Sequence, residues 1–89
     1  MSAYKEITQI LSEITDPDEI EKFLNEILTD NERKDLSLRW DLMRKLHDGI
    51  PQRAISAELG ISLCKITRGS KILKSGDSII NKLLNSRVK

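Results

Sequence analysis

The fold of this chain is decided by the stretch GIPQRAISAELGISLCKITRGSKILK, residues 49–74, which predicts two short helices around a tight turn. Pro51 is expected to lie in the first turn of the first helix, and Gly60 suits the left-handed conformation that often ends a helix. Ser62 can cap a second helix, whose Leu63 and Ile66 we expect to point inward. Helix, glycine turn and helix is the pattern of a DNA-binding helix-turn-helix, although an ordinary helical hairpin has the same pattern.

Positive charge is concentrated on the second of these helices. Residues 1–50 hold 7 Lys/Arg and 12 Asp/Glu, whereas residues 51–89 hold 8 and 2. A solvated helix face usually mixes signs, and an acid-free basic run suits phosphate contacts. We therefore predict a helix-turn-helix at about residues 51–70 that binds double-stranded DNA. A basic membrane-surface helix is less favoured because the run lacks aromatic residues. The charged residues from position 65 to position 74 are all basic: Lys65, Arg68, Lys71 and Lys74.

The composition excludes several other classes of protein. A chain of 89 residues is expected to form one small domain. The single cysteine excludes an internal disulfide. One cysteine and one histidine make a structural zinc site or a set of catalytic residues unexpected, so we predict no bound metal and no enzymatic activity. The charged N-terminus lacks a signal-peptide core, and no apolar run could span a bilayer. A cytoplasmic protein with no membrane partner is the resulting expectation.

Helical periodicity extends over the whole chain and predicts an all-α fold of six helices in a single domain, residues 1–89. The capping box TDNE, residues 29–32, predicts the start of the longest helix, and Gly49 its end. The end helices, about residues 2–48 and 77–87, have broad apolar faces that so short a chain cannot obviously cover. We expect them to form the interface of a homodimer.

The run KITRGSKILK, residues 65–74, resembles the recognition-helix signature ITRGSN-x-LK of the Trp repressor family. LTDNER at residues 28–33 resembles the LTPDER-type helix start of that family, and the resemblance covers about residues 24–74, with one residue missing around position 50. It implies an intertwined homodimer with two helix-turn-helix heads. L-tryptophan as corepressor would set these heads one DNA turn apart on a palindromic operator.

The function implied by the resemblance is therefore transcriptional repression of tryptophan-related genes. A related DNA-binding regulator with a different effector or none is the alternative. A helical protein-interaction module, which would not bind nucleic acid, is a third and less favoured possibility.

On the DNA side, the resemblance implies contacts from both helices of the motif. Arg53 would reach a guanine edge, for which a bidentate arginine is well suited. Gln52 and Lys74 would hold phosphates, and Ser56 stands where the family frequently has a phosphate-binding lysine. The implied DNA-binding set is Gln52, Arg53, Leu63, Cys64, Lys65, Thr67 and Lys74.

On the ligand side, the resemblance implies a tryptophan site built from two subunits. Arg39 and Arg68 would pair with the carboxylate and stack on the indole, both of which a guanidinium can do. Leu28 and Thr29 would come from the other subunit and supply a wall and carbonyl acceptors, while Gly69 would leave room for the ring. The alternative role for Arg39 is a structural ion pair.

Two positions depart from the family pattern at this predicted site. Lys65 stands where tryptophan-binding members often have a small threonine. Ile72 stands where a serine can meet the amino group of the ligand. Losing that hydroxyl would remove about 1 kcal/mol of hydrogen bonding, and this departure motivates the alternative of a changed effector.

Overall fold

The computed structural model describes residues 2–87, all of whose regular elements are helices. The predicted all-α fold with six helices is confirmed within this range, and positions 1, 88 and 89 of the predicted 1–89 domain lie outside it. In chain order the helices are α1 (Ala3–Glu13), α2 (Pro17–Ile27), α3 (Asp30–His47), α4 (Gln52–Leu59), α5 (Leu63–Lys74) and α6 (Ile79–Arg87).

Side-chain caps mark the starts of five helices. Each cap accepts a hydrogen bond from a backbone N–H in the first turn, which would otherwise lack a partner. Before α4 there is no such cap: Pro51 precedes the helix with φ −58° and ψ 142°. The expectation that Pro51 lies inside the first turn is wrong by one residue, because its extended ψ leaves it just outside the helix. The capping residues are Ser2, Asp16, Thr29, Ser62 and Ser78.

The predicted capping box at the start of α3 is confirmed. The Thr29 N–H donates to Glu32 Oε1 at 2.8 Å, and the Glu32 N–H donates to Thr29 Oγ1 at 3.1 Å. The backbone hydrogen bond from Thr29, followed by its side-chain bond, lowers the pKa of the Glu32 carboxyl. These local hydrogen bonds therefore fix the start of the helix and favour the charged form of the Glu32 carboxyl.

Contacts divide the chain into two compact units, the first ending at Asp35 and the second beginning at Leu36. The first unit contains α1 and α2, which have no buried residue. Their apolar residues recur at helical spacing, so each helix presents an apolar stripe that remains at least partly exposed.

The second unit contains a small apolar core that joins α3 to the helix-turn-helix. Ile55 of α4 and Ile66 of α5 are fully buried against Leu42 of α3. These residues come from three helices, so burying them fixes α4 and α5 on the C-terminal half of α3. The partly buried residues around them are Leu46, Ile50, Leu59 and Ile61.

The junction between α3 and α4 is held by backbone and side-chain contacts. Gly49 ends α3 with φ +81°. Its N–H donates to the Leu46 carbonyl, and the Ile50 N–H donates to the Lys45 carbonyl, both at 3.1 Å. Lys45 Nζ also pairs with Glu58 Oε1 of α4 at 2.9 Å. These contacts help to set the direction in which the helix-turn-helix leaves α3.

A cleft of about 520 Å³ lies in the second unit. Beside it, His47 Nε2 of α3 and Asn85 Oδ1 of α6 are 2.7 Å apart, a hydrogen-bond distance that ties the two helices together. Trp40 remains 36% exposed along this cleft. The lining residues are Trp40, Arg44, His47, Asp48, Leu84 and Arg87.

Candidate nucleic-acid interface

The turn of the helix-turn-helix is closed by a glycine and a serine. Gly60 adopts φ +67° and ψ 33°, and its N–H donates to the Ser56 carbonyl at 2.9 Å. The Ser56 hydroxyl donates to the Ile61 carbonyl at 2.7 Å in a partly buried position. Sequence reasoning treated Ser56 only as a missing phosphate contact, whereas its side chain here satisfies a carbonyl of the turn.

The second helix of the motif, α5, has a clearly defined inner face. Ile66 is fully buried, as predicted, but Leu63 is 47% exposed. The expectation that Leu63 points inward is wrong because Ile61, two residues earlier, packs against the core at this end of the helix. Leu63 is the first residue of α5 and lies at its exposed N-terminal tip.

Gly69 lies where α5 packs closely against α3. A Cβ atom at this position would lie 3.1 Å from Leu46 Cδ1 and 3.4 Å from Leu42 Cδ2. A glycine therefore lets the backbone of α5 approach α3 closely. The contribution of Gly69 to a ring-binding space stays a prediction.

The residues predicted to bind DNA lie on one helix pair. Gln52 and Arg53 lie in the first turn of α4, and the other five lie on α5. Thr67 Oγ1 donates to the Leu63 carbonyl at 2.9 Å, which orients its side chain. Six members of this set are exposed, and Gln52 is half-buried.

The basic side chains of this helix pair are available for an external partner. All are exposed, and none forms an ion pair with any residue between positions 2 and 87. Charges without internal partners can neutralise phosphates without first breaking a salt bridge. These residues are Arg53, Lys65, Arg68, Lys71 and Lys74.

The predicted ligand residues of the second unit lie on α3 and α5, the two helices that meet at Gly69. Arg39 of α3 and Arg68 of α5 are both exposed. Arg39 forms no ion pair with a described residue, so the alternative of a structural ion pair gains no support. Both guanidinium groups are free to meet an anion or an aromatic ring.

The predicted ligand residues of the first unit lie where α2 ends. Leu28 is the half-buried C-terminal cap of α2, and Thr29 opens the capping box that follows. Arg33 Nη1 donates to the Leu28 carbonyl at 2.7 Å and to the Asn25 carbonyl at 3.1 Å. Sequence reasoning missed this use of Arg33, although a basic residue shortly after a helix end is a known signal for such contacts.

Among residues 2–87, no helix is long and apolar enough to cross a membrane. No group of three or more His, Cys, Asp or Glu residues within the same range is placed to hold a metal ion.

The geometry of α4, the glycine turn and α5, with unpaired basic residues on the exposed side, defines the class of helix-turn-helix DNA-binding proteins. A family model described as Trp repressor protein matches residues 2–88, and the chain belongs to that family of transcription repressors. The resemblance read from residues 24–74 is therefore confirmed, and the match extends it almost to both ends of the chain.

Curated relatives support the same assignment. A Trp operon repressor homolog of Chlamydia trachomatis is 37% identical over 73 residues, covering 76% of this chain and 78% of the relative. Proteins with the same description from Vibrio parahaemolyticus and Actinobacillus succinogenes are 34% and 41% identical over 73 and 58 residues. These alignments cover 81% of this chain and 71% of the Vibrio protein, and 64% of this chain and 57% of the Actinobacillus protein. No solved structure matches significantly.

Proposed function

We propose that this protein is a transcriptional repressor of tryptophan-related genes, which binds a palindromic operator as a homodimer with L-tryptophan as corepressor. The observation that carries the proposal is the exposed, unpaired basic face of α5 in a helix-turn-helix of the Trp repressor family. The relatives described as Trp operon repressor homologs favour tryptophan-related genes as the target.

The proposed interface with DNA uses both helices of the motif. Arg53 reads a guanine edge in the major groove, while Gln52 and Lys74 hold phosphates. The exposed tip of α5 lies against the bases. The residues of this tip and the following turn are Leu63, Cys64, Lys65 and Thr67.

The proposed dimer covers apolar surface that the described chain leaves exposed. Ile27 is 50% exposed, Ile79 is 69% exposed and Leu83 is 46% exposed. Trp40, beside the cleft of the second unit, is a further exposed apolar side chain. Large exposed apolar residues in so small a protein are best explained by a partner. The single DNA-binding domain, with dimerisation helices at about residues 2–48 and 77–87, is part of this proposal.

The proposed corepressor site combines residues of two subunits. Arg39 pairs with the carboxylate of L-tryptophan and Arg68 stacks on its indole, with Gly69 beside the ring. Leu28 of the partner subunit forms one wall of the site. Thr29 of the partner subunit lies at the end of that subunit's α2, where backbone carbonyl groups accept hydrogen bonds from the ligand. Ligand binding then fixes the separation of the two heads on DNA.

A regulator with another effector, or with none, is the second candidate. Lys65 is exposed, and Ile72 is 37% exposed and has no hydroxyl for an amino group. Lys65 and Ile72 therefore change two positions of the proposed tryptophan site, while the proposed DNA-binding surface is kept. The candidates therefore differ in ligand dependence and not in DNA binding.

DNA binding is tested by selecting duplexes from a randomised pool and measuring affinity over a salt series. Arg53→Ala should relax base preference at one position in each half-site and cost about 1–3 kcal/mol on the selected sequence. Lys34→Ala, which removes an exposed charge in the first unit, is the control and should leave base preference unchanged. Equal weakening of Arg53→Ala on every DNA sequence would contradict base reading by Arg53. A protein-interaction module would show no steep salt dependence on any DNA.

Corepressor binding is tested by calorimetric titration with L-tryptophan, with tryptamine and indole-3-propionate as analogues that lack one charged group. We expect saturable binding of one L-tryptophan per chain and its loss in Arg39→Ala, because the carboxylate loses its partner. Circular dichroism checks that the variant remains folded. An absence of heat from a folded protein that still binds DNA would favour the second candidate.

A further inference from the structure

One ion pair joins α3 to the helix-turn-helix. Lys45 Nζ donates to Glu58 Oε1 at 2.9 Å. The other ion pairs among residues 2–87 link positions at most three apart in the chain, so within this range Lys45 and Glu58 alone form an ion pair between two helices. The Lys45 side chain is only 21% exposed, which partly shields the pair from water. The pair therefore adds a charged contact to the packing of α4 on α3.

This ionic contact lies beside an apolar one. Ile55 of α4 is fully buried against Leu42 of α3. Lys45 and Glu58 come three residues later on their respective helices, so the two contacts are about one helical turn apart on both. Apolar burial has no preferred direction and permits some rotation of α4 about the contact. A charged hydrogen bond has a defined geometry and, placed one turn away, limits that rotation.

The direction of α4 matters because its first turn carries Gln52 and Arg53, two of the residues proposed to contact DNA. Glu58 lies near the other end of this eight-residue helix. A helix of this length spans about 12 Å, so a rotation of about 10° around its middle moves each end by about 1 Å. Such a displacement is large compared with the distance range of a hydrogen bond between Arg53 and a base edge.

The charge of Glu58 also concerns DNA binding. Glu58 is the only acid between positions 51 and 76, a range that holds five basic residues. An unpaired carboxylate in a DNA-binding motif repels the phosphate backbone. Lys45 supplies the compensating charge from α3, outside the motif. The motif thus keeps a carboxylate that anchors α4 without presenting it unpaired to DNA.

We propose that Lys45 and Glu58 form a positioning pair, which fixes the angle of α4 on α3 and thereby directs Arg53 to the base edge that it reads. Both residues act through the orientation of α4 and not through a contact of their own with DNA. The pair therefore serves recognition of sequence more than general attraction to phosphates. This inference rests on the DNA interface proposed above.

The test measures two dissociation constants for each variant of the full chain. One is for the duplex selected from a randomised pool, and the other is for an unrelated duplex of equal length. Fluorescence anisotropy with labelled duplexes gives both, at one salt concentration and one L-tryptophan concentration. Their ratio is the sequence selectivity, from which the phosphate attraction common to both duplexes largely cancels. Urea unfolding shows whether each variant is folded.

Two variants break the pair with opposite changes in net charge. Lys45→Met should weaken binding to the unrelated duplex, whereas Glu58→Gln should strengthen it. Both should nevertheless lower the sequence selectivity about fivefold, the scale of one partly exposed ion pair. The double variant should have the same selectivity as either single variant, because the pair is already broken in each. Lys45→Arg keeps the charge and a donor, and it should retain most of the selectivity.

A second ion pair provides matched controls. Arg44 Nη2 lies 2.7 Å from Asp41 Oδ1, and both residues belong to α3. Arg44→Met and Asp41→Asn therefore repeat the two charge changes without removing a contact between α3 and α4. Their sequence selectivity should equal that of the wild type.

Several results would overturn the inference. Unchanged selectivity in Lys45→Met and Glu58→Gln would remove the positioning role, and a loss confined to one of them would indicate a separate contact of that residue. Unfolding of either variant would make the pair structural, and an equal loss in the α3 controls would reduce the effect to net charge. A wild-type protein without sequence selectivity would overturn the proposed DNA reading first, so the wild-type measurement distinguishes the two failures.

Discussion

Ile66 and Leu63 lie one turn apart on α5, and replacing each with alanine should have opposite consequences for stability and DNA binding. Ile66 is fully buried between α3 and α4, whereas Leu63 is 47% exposed at the tip of the helix. Ile66→Ala should destabilise the fold strongly. Leu63→Ala should leave the fold largely intact and weaken DNA binding instead, since an exposed apolar side chain at this tip can contact bases.

The magnitudes follow from the burial of the two side chains. Removing a buried isoleucine to alanine costs about 2–5 kcal/mol, because apolar contacts are lost and a cavity remains. Full burial of a leucine is worth about 1.5–3 kcal/mol, so Leu63, about half exposed, should contribute about 1 kcal/mol. Alanine improves helix propensity slightly at both positions, so the propensity change does not alter the ranking.

Urea unfolding followed by far-ultraviolet circular dichroism measures both effects. All variants must be compared at one protein concentration, because dimerisation would make the apparent stability depend on concentration. Binding to the selected duplex is then measured for each variant under conditions in which it remains folded. Equal destabilisation by Leu63→Ala and Ile66→Ala would refute the assignment of the two faces of α5. Normal DNA binding by folded Leu63→Ala would refute the expected base contact of Leu63.

Two further predictions concern local hydrogen bonds. Ser56→Ala removes the hydroxyl that donates to the Ile61 carbonyl at 2.7 Å, and it should cost about 1 kcal/mol in urea unfolding; no loss would show that water replaces the hydroxyl at this turn. The hydrogen bonds of the capping box lower the pKa of Glu32 from its ordinary value of 4.5. The carboxylate therefore contributes stability that is complete above this value and is lost as the pH falls through the lower value in the folded state. Glu32→Gln should flatten that acidic part of the pH–stability profile, and an NMR titration showing an ordinary or raised pKa for Glu32 would contradict the expectation.

Most helix boundaries were predictable because they depend on residues only a few positions apart. The TDNE box, the glycines at 49 and 60 and the serines before α5 and α6 act on backbone groups within one turn. The start of α4 is the exception, because Pro51 lies one residue before the helix and not in its first turn. Its ring restricts φ but permits an extended ψ, and the following helix therefore begins at Gln52.

The exposure of the basic residues at the candidate DNA interface was predictable to a similar extent. Surface charge follows directly from the sequence once the inner face of a helix is known, and the basic residues from position 65 to position 74 are indeed exposed. The side-chain contacts of Arg33 and Ser56 were not predictable in this way. Each depends on which carbonyl groups the folded backbone brings within reach, five or eight residues along the chain for Arg33 and five for Ser56.

The sequence by itself determined the helical class, the helix ends and the family, because short-range capping, apolar periodicity and the ITRGS motif are all properties of the linear chain. The tertiary structure alone decided that Leu63 is exposed while Ile66 is buried, and that Gly69 faces Leu42 and Leu46 of α3. The physical reason is that burial depends on what other segments occupy the same space: Ile61 packs against the core beside the start of α5, and helical periodicity contains no information about that neighbour.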